Sequence, residues 1–198
     1  SAVGNLVTDA MRAADPEIDV AMYNSGGLRT SIPRGAITFG RVFEVMPFDS
    51  YLMKVSLTGA QIRDVLEHGL SSDHGVMQIS GLRVVFDPDA PVNQRCVRIE
   101  DERGRLLQDE ELYVVGTNDF VLGGGDGYHT FVRGRNVRTS ESTIRQLVTN
   151  HIEKSKAIRS TPHVRYLRTS ATAQRAPHSA DDTLTPRARA GSVLSIVQ

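Results

Sequence analysis

The spacing of apolar residues changes repeatedly along this chain, and that constrains the fold more than any single motif does. Leu6, Val7, Ala10, Met11 and Ala14 share one helical face. Asp15-Pro16 ends that helix, because the residue before a proline resists the α region. Ile18, Val20 and Met22 then alternate with Asp19 and Ala21, which is a strand period. A glycine-bearing loop follows, Asn24-Ser25-Gly26-Gly27-Leu28-Arg29. Thr38 reads as the N-cap of a short helix that runs through Phe43 and stops at Pro47. Residues 51–57 read as a strand, and Thr58-Gly59-Ala60-Gln61 after it is a capping box. Ile62, Val65, Leu66 and Leu70 give the capped helix its apolar stripe.

Further strands are predicted at Leu82–Phe86, Cys96–Ile99 and Leu112–Val115, with Asp101-Glu102-Arg103-Gly104 as a hairpin turn between the last two. The densest glycine cluster, Gly123-Gly124-Gly125-Asp126-Gly127, comes next. A last helix is predicted from near Ser140, carrying Ile144, Leu147, Val148 and Ile152, and a short strand near Val164–Leu167 closes the domain. Helices and strands mix without strict alternation. The expected fold class is therefore α+β, mixed sheets with packed helices in a single domain over residues 1–168. Residues 169–198 are rich in Ala, Ser, Thr and Arg, hold no aromatic and follow neither period, so they are expected to be a disordered tail.

Several functional classes drop out on composition. Lys+Arg and Asp+Glu both number 23, so there is no net charge to draw the chain to nucleic acid or an anionic membrane. No apolar run approaches the roughly 18–20 residues of a membrane span. The single cysteine, Cys96, excludes an internal disulfide and a multi-cysteine zinc site, and reads as a half-buried strand residue. No Gly-x-Ser-x-Gly elbow, His-Glu-x-x-His pair or Walker phosphate loop occurs. The six histidines are scattered, and Asp87 and Asp89 around Pro88 read as turn chemistry. The chain opens without a signal peptide or an initiator Met and is read as a fragment or processed chain, which leaves its compartment unmarked.

Two loops carry chemistry. In Asn24–Arg29 the glycines admit a ligand close to the backbone, and Arg29 offers a planar fork to a phosphate or carboxylate. On spacing alone the plainer reading is a tight turn with a surface arginine. In the second loop, Phe120 suits stacking on a base and Asp126 suits accepting from vicinal hydroxyls, against the plainer reading of a glycine-rich hairpin with a capping Asp. Phe48, in Met46-Pro47-Phe48-Asp49, is a third candidate, although an aromatic after a proline-terminated helix is ordinarily a core plug.

Taken in order, Gly4-Asn5-Leu6-Val7-Thr8-Asp9-Ala10, Asn24-Ser25-Gly26-Gly27-Leu28-Arg29, Met46-Pro47-Phe48 and Asn118-Asp119-Phe120 through Gly124-Gly125-Asp126-Gly127-Tyr128 form a series. That series resembles the C-terminal domain of the 5'-nucleotidase family, which includes ecto-5'-nucleotidase and UDP-sugar hydrolases. The resemblance covers about residues 1–168. It implies a substrate-binding domain in which Phe48 and Phe120 sandwich a nucleobase, Asp126 holds the ribose hydroxyls, Arg29 binds the phosphate, and Asn24 is the substrate-binding asparagine that opens the Arg29 loop.

The resemblance also implies what this sequence lacks. In the family, an N-terminal metallophosphoesterase domain carries a two-metal centre and the catalytic histidine, and the substrate swings to it by domain rotation. No such segment is present here, and the arginine that precedes Gly-Asn-Leu in the family falls before Ser1. The expectation is a nucleotide-recognition domain with no catalytic residue and no cofactor of its own, a divalent pair (zinc or manganese) on the other domain, and a periplasmic, secreted or cell-surface location. The alternatives are a stand-alone nucleoside- or nucleotide-binding module without catalysis, and a remnant that folds but binds nothing. Base and sugar preference stays open, because stacking rings accept many bases.

Overall fold

The computed structural model of the chain describes residues 1–159 and 164–169. In chain order its elements are α1 (Ala2–Ala14), β1 (Val20–Tyr23), α2 (Phe39–Val45), β2 (Tyr51–Thr58), α3 (Gly59–Ser71), β3 (Gln78–Ser80), β4 (Leu82–Phe86), β5 (Cys96–Asp101), β6 (Leu112–Asn118), α4 (Asp119–Leu122), β7 (Arg135–Thr143), α5 (Ile144–Ser155) and β8 (Tyr166–Arg168). Five strands form one sheet in the order β3-β1-β6-β2-β7, and three form a smaller one in the order β5-β4-β8. Parallel pairs (β1 with β6, β4 with β8) sit among antiparallel ones. The class is α+β with mixed sheets, as the unpatterned mixture of periods predicts.

The large sheet is covered on both faces. On one side α1, α2 and α5 bury Val7, Met11, Val42, Val45, Ile144 and Val148. On the other, Ile62, Val65 and Leu66 of α3 pack with Val84 and Ile99 of the small sheet. β1 feeds both cores, Val20 and Met22 into one and Ala21 and Tyr23 into the other. All four of its residues are buried, where the alternation in the sequence describes a half-buried strand. The polar partner in that alternation, Asp19, stands outside β1, and its carboxylate accepts the Val114 backbone N–H at 2.8 Å.

Local signals hold at the predicted caps. Thr38 caps α2 through the Arg41 N–H, and both halves of the Thr58–Gln61 capping box are formed. Two predicted features differ, and two strands have no counterpart in the sequence reading. The turn at Asp101–Gly104 folds the chain back only as far as a bridge between Glu100 and Leu106, and β6 departs to the other sheet. Neither β3 nor β7 was legible: β3 is three residues long, and β7 is an exposed polar edge strand held by its ladder with β2. The last helix begins at Ile144, not near Ser140, because residues 140–143 belong to β7 and Thr143 is the cap. Thr169, the first residue of the predicted tail, still donates its N–H to Phe86 at 2.8 Å. Residues 170–198, the rest of that tail, lie outside the described residues.

Candidate functional site

β1 and β6 run parallel side by side, and β2 starts antiparallel beside the end of β6, where Leu52 faces Asn118. Three loops therefore meet at one end of the large sheet: the one after β1, the one after β6 and the one before β2. Between them lies a cleft of about 750 Å³. Asn24, Arg29, Phe48, Phe120 and Asp126, which the sequence places in separate segments, all line it.

The polar floor of the cleft is a directed chain of hydrogen bonds. The Val121 backbone N–H donates to Asn118 Oδ1 at 2.7 Å. That leaves the Asn118 amide nitrogen to donate to Asn24 Oδ1 at 2.9 Å, and Asn24 Nδ2 to donate to Asp126 Oδ2 at 2.7 Å. A backbone amide can only donate, so it fixes which way each side-chain amide faces. Asn24 and Asn118 are buried, and Asp126 is half-buried at the end of the chain. The result is a carboxylate oriented by one oxygen, with the other free of any hydrogen bond from a described residue.

Asp126 holds this place in a left-handed backbone conformation, with φ 53°. Asp tolerates that region better than most residues, and Gly124 and Gly127 beside it also have positive φ. From below, His68 of α3 bonds through Nε2 to the Asp126 carbonyl oxygen at 2.8 Å, which makes that nitrogen the donor. The His68 ring meets Tyr128 edge to face at 4.6 Å. Burial pushes the Tyr128 hydroxyl up to about 12, as it does that of Tyr23 in the cleft wall, so both stay neutral.

The aromatic walls are different in kind. Phe48 and Phe120 are each 51% exposed, so neither is the core plug that the position of Phe48 suggests. The Phe120 ring lies over Gly125, where an added Cβ would come within 2.5 Å of it. Two large rings left in water at the rim of one cleft are the mark of a binding surface rather than of a core. Arg29 is exposed, its Nη1 donates to the Gly26 carbonyl at 3.0 Å, and no described carboxylate pairs with it. Its charge is therefore open to a ligand anion.

The sequence profile of the 5'-nucleotidase C-terminal domain family matches residues 1–133. The chain belongs to this family. A trifunctional nucleotide phosphoesterase of Bacillus subtilis is 38% identical over 140 residues, which is 65% of this chain and 10% of that protein. A cell wall protein of Listeria monocytogenes is 33% identical over 170 residues, 79% of this chain and 22% of that protein. The solved 5'-nucleotidase precursor of Thermus thermophilus superposes with a TM-score of 0.79 at 33% identity, over 84% of this chain and 35% of that one. This 5'-nucleotidase C-terminal domain thus spans about a tenth to a third of the length of these relatives.

The pattern reading did not single out the residues that hold the site together. Asn118 opens the Asn118-Asp119-Phe120 segment, but the Asn24 with which it pairs lies 94 residues away in sequence. His68 and Arg145 carry no local signal, since each acts on a loop far off in the chain. Among the described residues no three His, Cys, Asp or Glu side chains gather where a metal ion could sit. Among the described residues, no donor set fits the two-metal centre that the resemblance implies.

Proposed function

We propose that this domain is the nucleotide-recognition part of a 5'-nucleotidase-type phosphohydrolase. The observation that carries the reading is the convergence of Asn24, Arg29, Phe48, Phe120 and Asp126 on one cleft. In this reading Phe48 and Phe120 take the base between them. Such stacking is worth about 1–3 kcal/mol per base and tolerates several bases. The free oxygen of Asp126 accepts from the vicinal ribose hydroxyls, with Asn24 holding the carboxylate in place. Arg29 meets the phosphate.

The chemistry belongs to a metallophosphoesterase domain on another segment, carrying a divalent pair such as zinc or manganese. This chain's residues bind and orient the nucleotide and take no part in activating water. One protein it resembles, at 33% identity, is a cell wall protein of Listeria monocytogenes, which supports a periplasmic, secreted or surface location.

An amide chemical-shift titration with adenosine, AMP and UDP-glucose tests the reading. Saturable shifts around Phe48, Phe120 and Asp126 are expected, weakened by about tenfold or more in Phe120→Ala, as the loss of one stacking ring dictates. A well-dispersed spectrum with no shifts at millimolar ligand would refute it.

A further inference from the structure

Phe48 is half exposed, so packing of its ring does not explain how it keeps its place at the rim. What holds it is its backbone, and the backbone is held by one side chain. Arg145 is the second residue of α5, and its guanidinium is largely covered. Nη1 donates to the Met46 carbonyl at 3.0 Å and to the Phe48 carbonyl at 3.2 Å. Nη2 pairs with the Asp49 carboxylate. The same guanidinium lies 4.8 Å from the centre of the Phe43 ring, on the last turn of the helix that leads into the loop. Next to it, the Ile144 N–H donates to the Ser50 carbonyl at 2.8 Å. The start of α5 thus fastens the loop at residues 46, 48, 49 and 50.

Helix stability does not account for this arginine. A cation in the first turn of a helix opposes the macrodipole. The local sequence would favour an acidic residue there, and the position is occupied instead by the side chain whose fork can satisfy two carbonyls and a carboxylate at once.

We propose that Arg145 is the positioning residue for Phe48, fixing the loop so that the ring is preset to stack on a ligand base. This rests on the reading of Phe48 as a base-stacking residue. The proposal extends the site to α5, an element that contributes no residue to the cleft wall.

The test compares Arg145→Met and Arg145→Lys with Phe48→Ala in the whole chain. Met keeps the aliphatic stem, and Lys keeps the charge without the planar fork. Arg145→Met is expected to weaken adenosine binding about tenfold, within what one stacked base is worth. Binding of ribose 5-phosphate, which has no base to stack, should be unchanged. Added to Phe48→Ala, Arg145→Met should produce no further loss. The 15N order parameters of residues 48–50 should fall from the rigid range of about 0.85 toward about 0.6. Arg145→Lys should fold as the wild type does and recover little of the adenosine affinity.

If Phe48→Ala weakens adenosine binding and both Arg145 variants bind it like wild type, the proposal fails while the pocket reading stands. Additive losses from Arg145→Met and Phe48→Ala, or an equal loss for ribose 5-phosphate, also overturn it. If Phe48→Ala itself has no effect on adenosine binding, the stacking role of Phe48 falls and the proposal falls with it.

Discussion

Asn118→Asp exchanges one amide nitrogen for an oxygen and changes almost nothing else in size. The cap on α4 survives, because Asp accepts from the Val121 N–H as well as Asn does. The bond that fails is the one to Asn24 Oδ1, since two acceptors now face each other at a position where they are 2.9 Å apart. Asn24 can turn its nitrogen to the new carboxylate, but then its oxygen faces Asp126, at a site where 2.7 Å separates the two groups. In the first orientation a buried amide–amide bond worth roughly 0.5–1.5 kcal/mol is lost, and in the second the bond to the Asp126 carboxylate, worth roughly 1.5–3 kcal/mol. In both, an unpaired buried group adds roughly 1–3 kcal/mol. We expect a loss of about 2–4 kcal/mol on that basis. With a urea m-value of about 1–3 kcal/mol/M, the midpoint should fall by about 1 M or more. Nucleoside affinity should fall in parallel, because Asn24 either turns its donor away from Asp126 or loses the partner that holds it in place. An unchanged midpoint together with unchanged affinity would refute the directed chain as the basis of the site.

Three further outcomes follow from particular contacts. Gly125→Ala puts a methyl within 2.5 Å of the Phe120 ring, so the ring must swing away, and adenosine titration should show a loss of about tenfold if the stack is broken. Burial first, then the neighbouring Glu67, pushes the Cys96 thiol up to about 12, so the folded protein should resist thiol alkylation at pH 8 and react only on unfolding in urea. Asp101 has its carboxyl held below the ordinary 3.8, chiefly by the Arg105 backbone N–H and then by the Arg105 side chain. A lowered carboxyl pKa stabilises the fold above the unfolded value and loses that contribution as pH falls through the folded one. The stability gap between wild type and Asp101→Asn, followed by urea unfolding, should therefore be full at neutral pH and close as pH is taken well below 3.8.

Where a residue answers to its immediate neighbours, the sequence could be read. The Thr38 and Thr58 caps, the stripe of α3 and the break at Asp15-Pro16 depend on residues within four positions, and all appear where expected. β7 is not legible, because six of its nine residues are exposed, none is buried, and only the ladder with β2 makes them a strand. β1 is legible as a strand, but the burial of both its faces is not, since that depends on helices and strands distant in the chain. The five candidate site residues are nameable because they sit in or beside segments rich in Gly, Asn and aromatics. Their distances from one another were not, since each loop answers to a different strand end.

That separation has a physical cause that bears on function. The candidate site residues lie on loops or on the short helix α4, but each of these segments is fixed from behind by a side chain of a regular element or its cap. Asn118, at the end of β6, sets Asn24 and through it Asp126. His68 of α3 holds the Asp126 backbone, and Arg145 of α5 holds the Phe48 loop. A site whose facing groups are preset loses less conformational entropy when a ligand arrives, which is where affinity is commonly gained or lost. Residues that only face the ligand can be exchanged to change what is recognised, while those behind them must keep their geometry whatever the ligand is. Substitutions at Asn118 or His68 should therefore weaken binding of all nucleosides by a similar factor, whereas changes at Phe48 or Phe120, or at Arg145 acting through Phe48, should alter the ranking among bases.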